Sequence, residues 1–172
     1  MMRLFVGLAC PPEATAWILK HKPPLLPLGA RWVHPENWHV TLLFLGETPD
    51  ERVQVLHEAF AAILEGHPAF YLRPRQIAWH GRTLWVALHP SPHLAAVVER
   101  LHLAAGLPLH RPFLPHITLA RSSRSFRWVG PPLEEEPLFL FTTAYLYRSH
   151  LSPAGARYEP LHRYLLDITL PR

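Results

Sequence analysis

Two tripeptides of one type, His39-Val40-Thr41 and His116-Ile117-Thr118, each run on into a leucine. In an extended strand, residues two apart share a face, so His39 and Thr41 lie on one side while Val40 and Leu42 enter the core on the other. His116 and Thr118 pair in the same way. Two imidazoles with an ordinary pKa near 6.5 can hold different protonation states near neutrality, one as base and one as acid. That is the requirement for in-line displacement at a phosphodiester. One ring takes a proton from the attacking water or hydroxyl and the other gives one to the departing oxygen, each worth about 10²- to 10⁴-fold in rate. The threonine hydroxyls are neutral donors suited to the non-bridging oxygens, and a nearby arginine would oppose the charge that develops there. Arg121, three residues after Thr118, is the candidate for that role.

Chance sets the weight of this pattern. With 13 histidines and 8 threonines in 172 residues, about 0.6 His-x-Thr matches are expected at random, so a single match carries nothing. Context distinguishes these two. Each opens an aliphatic run, and each holds the same place in what reads as an internal duplication. Leu4 to Leu8 is a short apolar run followed by Pro11 and Pro12, after which Ala14, Trp17 and Ile18 fall at helical spacing. Leu84 to Leu88 is followed by Ser91-Pro92, an N-cap with proline at the first helical position, and then by Leu94, Val97, Val98 and Leu101 on one helix face. Leu4 is thereby matched to Leu84 and Pro12 to Pro92. His39 lies 35 positions after Leu4 and His116 lies 32 after Leu84, so the halves differ by a three-residue indel.

The remaining elements follow from local signals. Thr48 and Glu51 have capping-box spacing and predict a helix with Val53, Leu56, Phe60 and Ile63 or Leu64 inward. Extended segments are predicted at Phe70–Leu72, Gln76–Trp79, Leu138–Arg148 and His162–Ile168. Arg121–Trp128 and the proline-rich Gly130–Pro137 are predicted as exposed loops, the first able to track an RNA backbone through Arg121, Arg124 and Arg127. Phe44 shares the parity of Leu42 and is assigned to the core. Trp38 is assigned to packing and Tyr158 to the core edge. The expected architecture is α+β and bilobal: a single domain over 1–172, with two pseudo-twofold lobes of antiparallel sheet backed by helices and an active-site cleft between them.

Composition bounds the function. With 49% apolar and 17% charged residues, 20 prolines and 19 aromatics, the chain is globular and sized for one compact domain. Its lone Cys10 cannot form an intrachain disulfide, which fits a reducing compartment. No apolar stretch reaches the roughly 18 residues of a membrane span. The Leu4–Ala9 run is too short for a signal-peptide core, so a soluble, cytoplasmic protein with no membrane partner is expected. The net charge is +4 and 15 of the 17 cations are arginine, which suits an anionic partner such as RNA. Proline-rich, asparagine-poor usage fits a thermostable chain. No His-x-His pair, no His-Glu-x-x-His and no glycine-rich phosphate loop is present, so neither a metal site nor a nucleotide cofactor is expected. The other histidines share no spacing and read as surface or structural groups.

At this point the chain resembles a family. RWVHPENWHVTLLFLGE, RPFLPHITLAR, RYEPLHRYLL and the opening RLFVGL are similar to the two-histidine (2H) phosphoesterases. Within them the likeness is to the RNA 2′,3′-cyclic phosphodiesterases, also called LigT, ThpR or 2′-5′ RNA ligase. The resemblance spans nearly the whole chain and keeps its landmarks in order. It implies a bilobal fold and metal-independent opening of a terminal 2′,3′-cyclic phosphate on RNA or an oligonucleotide to a 2′-phosphate end, with reversible 2′-5′ joining of RNA ends. It also implies that His39 protonates the leaving 3′ oxygen, that His116 activates water, that Thr41 and Thr118 bind phosphate and that Arg121 binds substrate. No cofactor is implied, and a monomer is expected. Two other readings stay open on the residues alone: a non-catalytic binder of RNA ends or nucleotides, and a cyclic phosphodiesterase acting on a small nucleotide.

Overall fold

A computed structural model describes residues 1–169. The first half of the chain forms β1 (Met2–Ala9), α1 (Pro12–His21), β2 (Ala30–Trp32), β3 (His39–Thr48), α2 (Val53–Leu64) and β4 (Phe70–Leu72). The second half forms β5 (Pro74–Leu88), α3 (Pro92–Ala105), β6 (His116–Val129), β7 (Phe139–Phe141), β8 (Thr143–Ser152) and β9 (Gly155–Leu165). Short 3₁₀ turns at Pro35–Asn37 and Asp50–Arg52 flank β3. Among the described residues no helix is long and apolar enough to cross a membrane.

The larger sheet is antiparallel and curled, in the order β2-β6-β3-β1-β8-β9, with β5 along the other edge of β6. Strands β4 and β7 form a separate pair. The α+β, two-lobed arrangement is therefore present as two half-sheets, β5-β6-β2 and β3-β1-β8-β9. They join where Val40 of β3 pairs with Ile117 of β6. Each half-sheet holds strands from both halves of the chain, because β2 crosses to β6 and β8 crosses back to β1. On one face of the sheet α3 packs near β3, and α2 packs on α3 and β9. Leu4, Val6, Leu8, Val40, Leu84, Val86, Leu94, Val98 and Ile117 meet there in one core.

Local chemistry explains the helix starts. Pro12 and Pro92 occupy first-turn positions, where the missing N–H costs nothing, and the Ser91 hydroxyl accepts from the Leu94 amide at 3.2 Å. Four expectations are corrected. Thr48 is not a helix cap: it precedes Pro49, which pushes it to extended backbone. It therefore ends β3, its hydroxyl donates to the Gly46 carbonyl, and α2 begins at Val53. Arg121–Trp128 is not a loop. Ala78–Gly81 needs a ladder partner and finds it in Phe126–Val129, so β6 extends to Val129 and the two predicted segments of β5 fuse into one strand. The Leu138–Arg148 segment breaks at Thr142, where the chain passes from β4 to β1 as its partner. Finally, Leu8 pairs with Val40 as Val86 pairs with Ile117, so the strand register equates Leu8 with Val86. That lies two residues away from the Leu4–Leu84 match. The register was hidden because proline fixes where a helix starts and leaves the length of the preceding turn free.

Candidate active site

The site is built on the one ladder pair that joins the half-sheets. Val40 and Ile117 are fully buried and directly opposed. One antiparallel step to either side places His39 across from Thr118 and Thr41 across from His116, all four half-buried on the face away from the core. The two spaced motifs are thus brought together as a square of alternating imidazole and hydroxyl.

Backbone carbonyls set both tautomers. A carbonyl only accepts, so His39 Nδ1–H donates to Asn37 O at 2.7 Å and His116 Nδ1–H donates to Leu114 O at 2.9 Å. In each case the partner lies two residues before the histidine, and Nε2 keeps the lone pair. At His39 that lone pair accepts the Thr41 hydroxyl at 2.8 Å.

The rings differ in their walls. Phe5 lies against His39 with centroids 4.9 Å apart, and the Tyr158 ring meets it edge-on at 5.3 Å. Tyr147 stands at 6.2 Å, its phenol held well above the usual range by burial and by Tyr145. Gly7 makes this packing possible, since a Cβ there would sit 3.0 Å from His39 Cδ2 and 3.3 Å from the Val40 carbonyl oxygen. His116 instead meets Trp85 at 4.0 Å, and His80 stacks on that indole at 4.7 Å. Burial pulls the His39 pKa down to about 4, with help from the Arg121 and His116 charges and against the Asn37 carbonyl. His116 is lowered too, first by burial and then by Arg121 and His80, against the Leu114 carbonyl. Both shifts favour the neutral imidazole in the free protein.

Arg121 reaches this face through an irregularity. Beyond Thr118 the ladder with β5 shifts at Leu84/Trp85, so Leu119 and Ala120 are both buried and Arg121 turns outward. The same device recurs in β3. A shift at Val6/Gly7 buries Leu42 and Leu43 together and leaves Phe44 52% exposed. Phe44 is therefore not core: it holds the position in β3 that Arg121 holds in β6, with the Arg3 guanidinium 4.8 Å above its ring. His39, Thr41, Phe44, Arg121, Arg3 and Tyr158 line a cavity of about 1020 Å³. His116 and Thr118 stand beside it on β6 rather than in its lining. Tyr158 faces this cavity instead of edging the core. Trp38 is buried packing, its indole N–H donating to Val33 O. Among the described residues no group of His, Cys, Asp and Glu is placed to hold a metal ion.

Comparison with known proteins gives the family. Residues 8–84 match the family described as LigT like Phosphoesterase. A Thermus thermophilus protein named RNA 2′,3′-cyclic phosphodiesterase is 34% identical over 96% of this chain and 90% of its own length. The chain belongs to this family of phosphodiesterases. Among solved structures of similar proteins, TT0787 of Thermus thermophilus superposes with a TM-score of 0.82 at 28% identity, covering 95% of this chain and 97% of that one. Escherichia coli LigT in complex with 3′-AMP gives 0.75 at 30% identity, covering 96% and 98%. Sequence reasoning about this LigT-like phosphoesterase missed Phe5, Gly7, Phe44 and Trp85. A signal existed for Gly7 alone, as the small residue in an otherwise bulky strand.

Proposed function

We propose that this protein hydrolyses a terminal 2′,3′-cyclic phosphate on RNA or oligonucleotides to a 2′-phosphate end, with His39 as proton donor and His116 as proton acceptor. The observation that carries this reading is the square over Val40 and Ile117, in which both imidazoles keep Nε2 free of the backbone. His116 Nε2 takes a proton from water as its oxygen attacks phosphorus. The bond from phosphorus to the 3′ oxygen breaks, and His39 supplies the proton that makes the 3′-hydroxyl. Thr41 and Thr118 donate to the non-bridging oxygens, and Arg121 opposes their developing charge. Phe44 offers an apolar face to the terminal base, and the cavity suits a nucleotide.

Protonation supports the order of events. His39 is neutral in the free protein, yet an anionic phosphate beside it favours the imidazolium. Substrate binding therefore raises the His39 pKa toward the range in which the ring can serve as acid. Run with a 5′-hydroxyl in place of water, the same steps join RNA ends through a 2′,5′ linkage.

Every role falls to a side chain, so a cyclic-phosphate-ended oligonucleotide should turn over undiminished in excess EDTA. His39→Ala and His116→Ala should each lose about 10²-fold or more. A substrate with sulfur at the bridging 3′ position needs no acid, so it should recover much of the His39→Ala loss and none of the His116→Ala loss. Dependence on metal, or near-normal rates in either variant, would overturn the mechanism, and the reverse rescue would exchange the two roles.

A further inference from the structure

We propose that the open flank beside His116, formed by Trp85 and His80, is a subsite for the nucleoside of an alcohol nucleophile: the 5′-hydroxyl end of a second RNA strand. The inference rests on the roles of His39 and His116 proposed above. In-line displacement brings the nucleophile in opposite the leaving oxygen. With His39 protonating that oxygen, whatever replaces water arrives on the His116 side.

The two sides of the site are built differently. On the His39 side β1 is covered by β8, and Tyr147 and Tyr158 close the flank. On the His116 side β5 pairs with β6 alone, so this flank lies on a sheet edge. The register sharpens the contrast. Gly7 pairs with Thr41, and the residue that pairs with Thr118 is Trp85. Where one half has no side chain, the other places an indole, half-buried against His116 and capped by the exposed His80. The indole meets His116 edge-on and His80 stacks on the indole, and this stacked imidazole and indole are a platform for a base.

Charge favours a nucleic acid as its occupant. Strands β5 and β6 carry Arg75, Arg82, Arg121, Arg124 and Arg127 and no carboxylate. None of these five is in an ion pair among the described residues. His80 and Arg127 are opposed in the ladder, so a cation lies next to the stack. In the reaction the 5′ oxygen bonds to phosphorus and its proton passes to His116, while the phosphorus bond to the 3′ oxygen breaks and His39 protonates that oxygen. The product is a 2′,5′-phosphodiester with a free 3′-hydroxyl.

The test offers a cyclic-phosphate-ended oligonucleotide two acceptors in separate reactions, a 5′-hydroxyl oligonucleotide and glycerol, and measures the ratio of transfer product to hydrolysis product. Trp85→Ala should lower the oligonucleotide ratio at least about fivefold, the effect of losing one stacked base, and leave the glycerol ratio in place. Trp85→Phe should restore most of it. Added salt should depress the oligonucleotide ratio alone, and less steeply in Arg127→Gln. If Trp85→Ala does not fold, His80→Ala should lower the same ratio. A parallel fall for both acceptors, or an unchanged oligonucleotide ratio, would assign Trp85 a structural role and overturn the subsite. Hydrolysis without any transfer in the unaltered protein would overturn the subsite and leave the hydrolase reading standing, whereas absence of both reactions would overturn both.

Discussion

Each imidazole is fixed at Nδ1 by a carbonyl two residues upstream, so neither ring needs a carboxylate to choose its tautomer. The consequence is electrostatic. Among the described residues no anion offsets burial, and Arg121 adds positive charge to both rings, so both pKa values lie below the usual 6.5. The kcat/KM profile reports the free enzyme. If one ring must be protonated and the other neutral, its bell should have both limbs on the acid side of 6.5, whereas kcat, measured with the phosphate anion bound, should peak at higher pH. Initial rates between pH 3 and 9 (about the range needed to see both limbs) would show this, and a limb above 7 in kcat/KM would contradict it. Gly7→Ala tests the packing behind His39. Its new Cβ would push on a ring edge 3.0 Å away, and a misplacement of about 1 Å costs on the order of 10² in rate. We expect kcat to fall at least tenfold by that estimate and thermal unfolding to come earlier as well, because Gly7 is buried and the same Cβ meets the Val40 carbonyl oxygen at 3.3 Å.

At the scale of elements, the sequence was legible wherever one local rule acted alone. The alternation in His39–Leu42 and His116–Leu119 gave the shared face of all four motif residues, and Ser91-Pro92 gave the start of α3. Ser91→Ala should cost about 1 kcal/mol by the usual worth of an N-cap, read from the midpoint of chemical denaturation at unchanged slope. α1 has no such cap, since Pro11 precedes it, and offers no matching site. Legibility ended where two strands had to agree. The ladder shifts in β3 and β6 are set by the mismatch with β1 and β5, so strict alternation sent Phe44 to the core and would have sent Arg121 there as well. Arg121 is legible only through its charge and its nearness to Thr118. The bulge that turns it outward could not be seen from β6 alone.

At the scale of the whole molecule, the two half-sheets cannot be separate folding units, because β2 and β8 each cross to the opposite half and the core runs unbroken through Val40 and Ile117. The site sits on the seam of that shared core. Whatever loosens the seam should therefore reduce stability and activity together. Ile117→Ala removes a fully buried side chain whose loss costs about 2–5 kcal/mol in comparable cores. It should lower Tm through one calorimetric transition and reduce kcat more than it raises KM, since the cavity on the His39 side is lined by residues other than Ile117. The conservative Ile117→Val, with a cost of about 0.5–1.5 kcal/mol, should fall between on both measures. Two transitions in the unaltered protein, with a calorimetric enthalpy that splits between them, would mean that the halves fold independently and that the seam transmits nothing to the imidazoles.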